Sequence, residues 1–150
     1  RMPEGMTFND LRIGTDLEFG QSIYEPFGIA QLEPLTAGAL CVVSNVCGCV
    51  GFVRRAAGES APPNLVVADY VSLPPGWNLV SPWDALRIER ATRDGIEAHN
   101  SLLAAQQIAD RLPRDNAGRS HLLEEGQRVA RGMSWDVVAR DYLLPALRRC

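Results

Sequence analysis

Two carboxylates, Glu25 and Glu33, stand eight positions apart in the run Ser22-Ile23-Tyr24-Glu25-Pro26-Phe27-Gly28-Ile29-Ala30-Gln31-Leu32-Glu33. A Pro-Phe-Gly turn lies between them, and a helix-like stretch over residues 30–38 surrounds the second. A glycine-containing turn that enters a helix aims unpaired backbone N–H groups at whatever lies in front of it, which favours an anion. Carboxylates beside such a site oppose phosphate but accept hydrogen bonds from hydroxyls. A ligand that carries both phosphate and hydroxyls satisfies both halves, and a nucleotide-sugar is one. Eight residues of regular helix would span about 12 Å, so the two carboxylates suit two ends of an elongated ligand rather than a close acid–base pair. Taken singly, Glu25 reads as a solvated loop residue and Glu33 as a surface helix residue.

The elements that must position these groups follow from the apolar pattern. Residues 17–20 read as a short strand leading into the turn. Pro34 would bend an established helix, so the helix is expected to begin late, with Pro34 in its first turn, and to stop at Gly38. Leu40-Cys41-Val42-Val43-Ser44 is a continuous apolar run of strand length, the mark of a parallel strand buried on both faces. A short helix is expected over residues 50–56, a second buried strand over 64–68, and a loop over 69–83, where Pro74-Pro75-Gly76 and Pro82 fall. A long helix capped by Asp84 is expected to run to Pro113, with Gly95 as a weak point. Leu122, Gly126, Val129 and Met133 share one helical face. Ser134 caps a last helix with Val138 and Tyr142 on its inner side. Strands alternating with helices, then helices alone, spell an α/β layer fold. Three strands are too few for a whole Rossmann domain.

The run from Ser22 to Glu33 resembles the Glu-x7-Glu signature of retaining, nucleotide-sugar-dependent glycosyltransferases of the GT-B architecture. Within them it is similar to the glycogen-synthase and bacterial group 1 hexosyltransferase families, where a Ser-x-x-Glu-Pro-Phe-Gly stretch precedes the second glutamate. The likeness continues through residues 35–44 and returns at Gly132-Met133-Ser134-Trp135, where those families often open a terminal helix with a Ser-Trp pair. It implies an α/β fold that is the C-terminal half of a Rossmann-like GT-B domain: a short parallel sheet, flanking helices and a helical C-terminus. On this reading residues 1–150 are part of the donor domain, the N-terminal acceptor domain lies outside the chain, and the segment alone is expected to be inactive.

The resemblance also implies roles. Glu25 would sit in the catalytic centre and accept hydrogen bonds from the donor hexose. Glu33 would hold the ribose hydroxyls. Backbone N–H groups of Phe27, Gly28 and Ile29 would face the sugar and diphosphate, and Ser22 would either donate to the sugar or satisfy the turn. Retaining transfer in these families resembles front-face departure of the nucleoside diphosphate, without a carboxylate nucleophile and without a metal or other cofactor, because cations and helix N-termini stabilise the leaving phosphates. The partners implied are the nucleotide-sugar donor, the acceptor domain and a saccharide acceptor. A phosphorylase- or synthase-like relative acting on a glucan shares the fold, and a non-catalytic Rossmann-like interaction or regulatory module is the alternative from another class. The chain departs from the pattern at Cys47-Gly48-Cys49-Val50-Gly51, where relatives carry a glycine pair and an acid. The family's phosphate-binding Arg/Lys pair has no counterpart in context, since only Arg1 and Arg12 precede the motif.

Composition fits this reading. The 150 residues are 46% hydrophobic, enough for one core, and the net charge of −3 speaks against a nucleic-acid surface. All 15 basic residues are arginine. Without an apolar run of membrane length or a signal peptide, no membrane span and a cytoplasmic location are expected. Cys41 reads as a buried small hydrophobe. Cys47 and Cys49 are closer in sequence than the usual zinc spacing, and neither His99 nor His121 stands at ligand spacing. They read as ordinary loop cysteines in a reducing compartment.

Overall fold

A computed structural model describes residues 2–20, 25–58 and 61–149. After helix α1 (Phe8–Ile13) comes strand β1 (Leu17–Phe19), then a 3-10 helix over Glu33–Ala37, strand β2 (Leu40–Ser44), helix α2 (Cys49–Ala57) and strand β3 (Leu65–Ala68). The three strands form one parallel sheet in the order β1-β2-β3, with Leu17 opposite Leu40 and Val42 opposite Val66. The remainder is helical: α3 (Pro82–Leu86), α4 (Arg90–Arg111), α5 (Asn116–Gly132), α6 (Trp135–Val138), a π-helical turn (Ala139–Leu143) and α7 (Leu144–Leu147). No helix among the described residues is long and apolar enough to cross a membrane.

β2 is the central strand, and all five of its residues are buried. Alternation divides them between two layers. Cys41 and Val43 join Leu65 in a core closed by Leu35, Val53 and Val129. Val42 joins Val66 and Ala68 on the other face, where Ala104 of α4 covers them and Ile108 packs alongside. Both faces are therefore roofed, which is why β2 shows no polar alternation. The edges of the core are stitched by side chains that reach backbone carbonyls. Buried Asn64 donates from Nδ2 to Leu122 at 2.9 Å and to Ala39 at 3.3 Å, and Arg111 donates to the Leu65 carbonyl.

Several boundaries differ from expectation. The stretch around Glu33 is not an α-helix from residue 30 but a five-residue 3-10 helix with Pro34 in its first turn and Gly38 left-handed at its end (φ 81°). The late start stands. The short 3-10 helix supplies little of the dipole that an anion site at its N-terminus would need. Asp84 is the third residue of α3, not its cap. Ser81 caps it, accepting from the Asp84 N–H while Asp84 accepts from the Ser81 N–H, and Pro82 fits the first turn. The helix breaks at Arg87, not at Gly95. Gly95 stays helical, and a Cβ there would sit 3.0 Å from the Trp77 ring. Ser134 caps α6 as expected, accepting from Val137 N–H, but Tyr142 is exposed rather than inward.

Candidate functional site

The site lies where β1 and β2 run out at the carboxyl edge of the sheet. β2 leads through residues 45–48 into α2. The Gly48 N–H at the head of α2 donates to the Glu25 carbonyl at 2.8 Å, which fastens the Pro-Phe-Gly turn onto the start of the helix. Three glycines make this fit sterically feasible. Gly28, at φ +65°, is buried, and a Cβ there would lie 2.4 Å from Cys47 Sγ. At Gly48 a Cβ would lie 1.8 Å from the Pro26 carbonyl oxygen, and at Gly20 one would meet the Gln31 side chain at 2.6 Å. On β3's side, Asp69 accepts from Asn45 Nδ2 at 3.1 Å and from the N–H groups of Val71 and Ser72 at 2.9 Å. Partial burial pushes this carboxyl up, but those hydrogen bonds outweigh it and hold it below the usual carboxylate range.

Glu25 and Glu33 both have protein partners. The Glu25 Oε1 accepts from the N–H of Phe27 at 3.1 Å and of Gly28 at 3.4 Å. These are the amides expected to face sugar and diphosphate; here they close an Asx-like turn on the glutamate itself. Glu33 pairs with Arg12, Nη1 to Oε2 at 2.6 Å, and Arg12 also reaches Glu18 at 3.3 Å. The Arg12 guanidinium lies 4.8 Å from the Phe8 ring centre, a cation–π distance. Burial pulls the guanidinium's pKa down, but the two glutamates outweigh it, so Arg12 stays cationic. Arg12 had no motif to mark it: the partners are 21 residues apart and meet only when α1 folds against the 3-10 helix.

A cleft of about 340 Å³ opens beside the turn, walled by Phe27, Ile29, Phe52 and Trp135, with Glu33 and Thr36 as polar groups on its rim. Glu25 does not line it. Phe27 and Ile29 are 74% and 68% exposed and Trp135 85%, so large apolar side chains stand in solvent around one carboxylate. The structure thus brings Phe27, Ile29 and Glu33 together on one cleft, while Glu25 and Gly28 are not among the residues that line it. Ser22 lies outside the described residues. A larger cleft, about 630 Å³, lies between residues 70–79 and α4 and carries Tyr70, Arg93, Glu97 and Ser101.

The cysteines correct one expectation. Cys47 and Cys49 are not ordinary loop cysteines: Cys49 opens α2 and both are buried, with Sγ atoms 3.1 Å apart, and Cys47 donates its S–H to Gln31 Oε1 at 3.1 Å. Cys41 is fully buried, as expected. No group of three or more His, Cys, Asp or Glu side chains among the described residues is placed to hold a metal ion. Burial pushes the Cys41 thiol up to about 12, helped by the charge of Glu18, and burial with the Cys47 hydrogen bond pushes Cys49 to about 12. An unfolded cysteine titrates near 8.5. The folded values are raised, so this stability is complete below about pH 8.5 and drains away as pH rises toward 12. Thermal melts are expected to hold steady from pH 7 to 8 and to fall by several degrees by pH 10.5, with Cys41→Val showing a shallower fall.

Comparison with family models, with curated proteins and with solved structures finds no match to this chain.

Proposed function

We propose that this chain is part of the donor-binding domain of a retaining glycosyltransferase, taking a hexose from a nucleotide-diphosphate sugar and passing it to a saccharide acceptor held by a separate domain. The observation that carries the reading is the placement of the Glu25-Pro-Phe-Gly turn. It sits at the carboxyl edge of a parallel sheet, where ligands of open α/β sheets bind, with Glu33 on the rim of an apolar cleft beside it. Glu33 has one oxygen on Arg12 and a second for a ribose hydroxyl, and the flat walls of Phe52 and Trp135 suit a nucleobase. Arg12 is committed to two glutamates and acts as a positioning residue for Glu33 rather than as the cation on the leaving phosphates. Glu25 takes hexose hydroxyls once the Phe27 and Gly28 amides turn from it toward the diphosphate. The reaction then needs departure of the diphosphate from the same face that the acceptor enters, with no carboxylate nucleophile.

One observation favours the second reading, a non-catalytic Rossmann-like module. Each glutamate has a role inside the protein, Glu25 closing its own turn and Glu33 anchoring Arg12. Calorimetric titration with ADP-glucose, UDP-glucose and GDP-mannose, repeated on Glu33→Ala, separates the two. The donor reading predicts binding of one of them at millimolar affinity or tighter, weakened at least tenfold by the substitution, an effect of about 1.4 kcal/mol. Equal affinity in both proteins would remove Glu33 from the site.

A further inference from the structure

Cys47 and Cys49 face each other across Gly48 with their sulfurs 3.1 Å apart. The contact is a hydrogen bond that either thiol can donate, so each sulfur is already the other's immediate partner. The fold around the pair holds it in place. Gly48 cannot move outward, because its N–H is held by the Glu25 carbonyl and the Pro26 carbonyl lies against its Cα. Gly28 closes over both sulfurs; a Cβ there would lie 2.4 Å from Cys47 Sγ and 3.1 Å from Cys49 Sγ. Cys49 lines the apolar cleft, which gives a small neutral oxidant a way in.

We infer that Cys47 and Cys49 form a reversible dithiol–disulfide couple, oxidised by a peroxide, that sits directly beneath the Glu25–Gly28 turn. The sulfurs need to close by about 1 Å to reach the disulfide length. In the first step a Cys49 sulfur attacks hydrogen peroxide, the O–O bond breaks, and a sulfenic acid forms with release of one water. In the second step the Cys47 sulfur displaces the sulfenic oxygen, which leaves as a second water, and the S–S bond forms. Each thiol gives up one hydrogen and the peroxide takes up both electrons. Burial raises the Cys49 thiol to about 12, which keeps the thiolate scarce and makes the step slow, so peroxide in excess is required. Formation of the bond removes the S–H that Cys47 donates to Gln31, and so alters the packing under the turn. The inference stands independently of any sugar chemistry.

The test is thiol mapping of the whole chain after hydrogen peroxide treatment, alkylation in denaturant and tryptic digestion. Peptide 13–54 carries Cys41, Cys47 and Cys49. The expected product has lost two hydrogens and takes one alkyl label instead of three, located on Cys41 by fragmentation. Dithiothreitol before alkylation restores all three labels, and in Cys47→Ser no loss of hydrogen occurs within the peptide. Three labels on peptide 13–54 under conditions that fully oxidise the exposed Met2 would overturn the couple. So would a link from Cys41, or irreversible sulfinic acid at Cys49 in place of the bond.

Discussion

Gly126→Ala is expected to destabilise the fold by about 3 kcal/mol, the upper end of what overpacking costs. α5 crosses the 3-10 helix backbone to backbone at this residue. A Cβ on Gly126 would lie 2.1 Å from the Leu35 carbonyl oxygen and 3.3 Å from Asn64 Nδ2. Neither neighbour can yield. Leu35 is fully buried in the core, and Asn64 holds two carbonyls on opposite sides of the contact. The helix must lift, and with it Leu122 and Val129, which close the core from the same face. Urea unfolding is the measurement, and a midpoint loss corresponding to roughly 6–12 °C in Tm is expected for a chain of this size. Gly51→Ala is the control. Gly51 sits in α2, and a Cβ there would meet nothing within 4 Å beyond the helix's own backbone, so alanine there is expected to raise stability by up to about 1 kcal/mol through helix propensity.

The second large effect is expected at the site itself. Gly48 has ordinary right-handed dihedrals (φ −60°, ψ −28°), so alanine brings no backbone strain, only a methyl group. That methyl would occupy a point 1.8 Å from the Pro26 carbonyl oxygen. Gly48→Ala must therefore push the Pro-Phe-Gly turn off α2 and break the 2.8 Å hydrogen bond to the Glu25 carbonyl. A cost of about 2–3 kcal/mol is expected, together with faster hydrogen exchange at Phe27 and Gly28 and loss of any nucleotide-sugar binding. Exchange at those amides equal to that of the parent protein would show that the turn does not rest on Gly48.

What was legible in the sequence was whatever a single stretch of chain decides. The five apolar residues of β2 announced a strand buried on both faces, Pro34 dated the start of its helix, and Ser134 announced its cap. What was missed depends on contacts across the chain. Gly95 reads as a weak point, yet it keeps a helix intact beside an indole ring. Gly126 reads as one member of an apolar face, and its backbone contact with Leu35 has no local trace. Ser81-Pro82-Trp83-Asp84 did hold a capping box, but Asp84 at the head of an apolar pattern drew the cap to itself. At the site, the motif marked Glu25, Phe27, Gly28, Ile29 and Glu33. The Arg12–Glu33 pair joins residues whose spacing means nothing until α1 docks, and the pairing of Cys47 with Cys49 depends on Gly28 closing over them.

Amide chemical shifts of the isotope-labelled chain, followed during titration with UDP-glucose, ADP-glucose or GDP-mannose, test the central claim most directly. If Glu25 and Glu33 bind the donor, the Phe27 and Gly28 amides lose their carboxylate acceptor, and their signals are predicted to move in a saturable way, together with the Trp135 indole. Saturable shifts confined to the Tyr70, Arg93 and Ser101 cleft, with Phe27 and Gly28 unmoved, would contradict the account and transfer the ligand to the other side of the sheet.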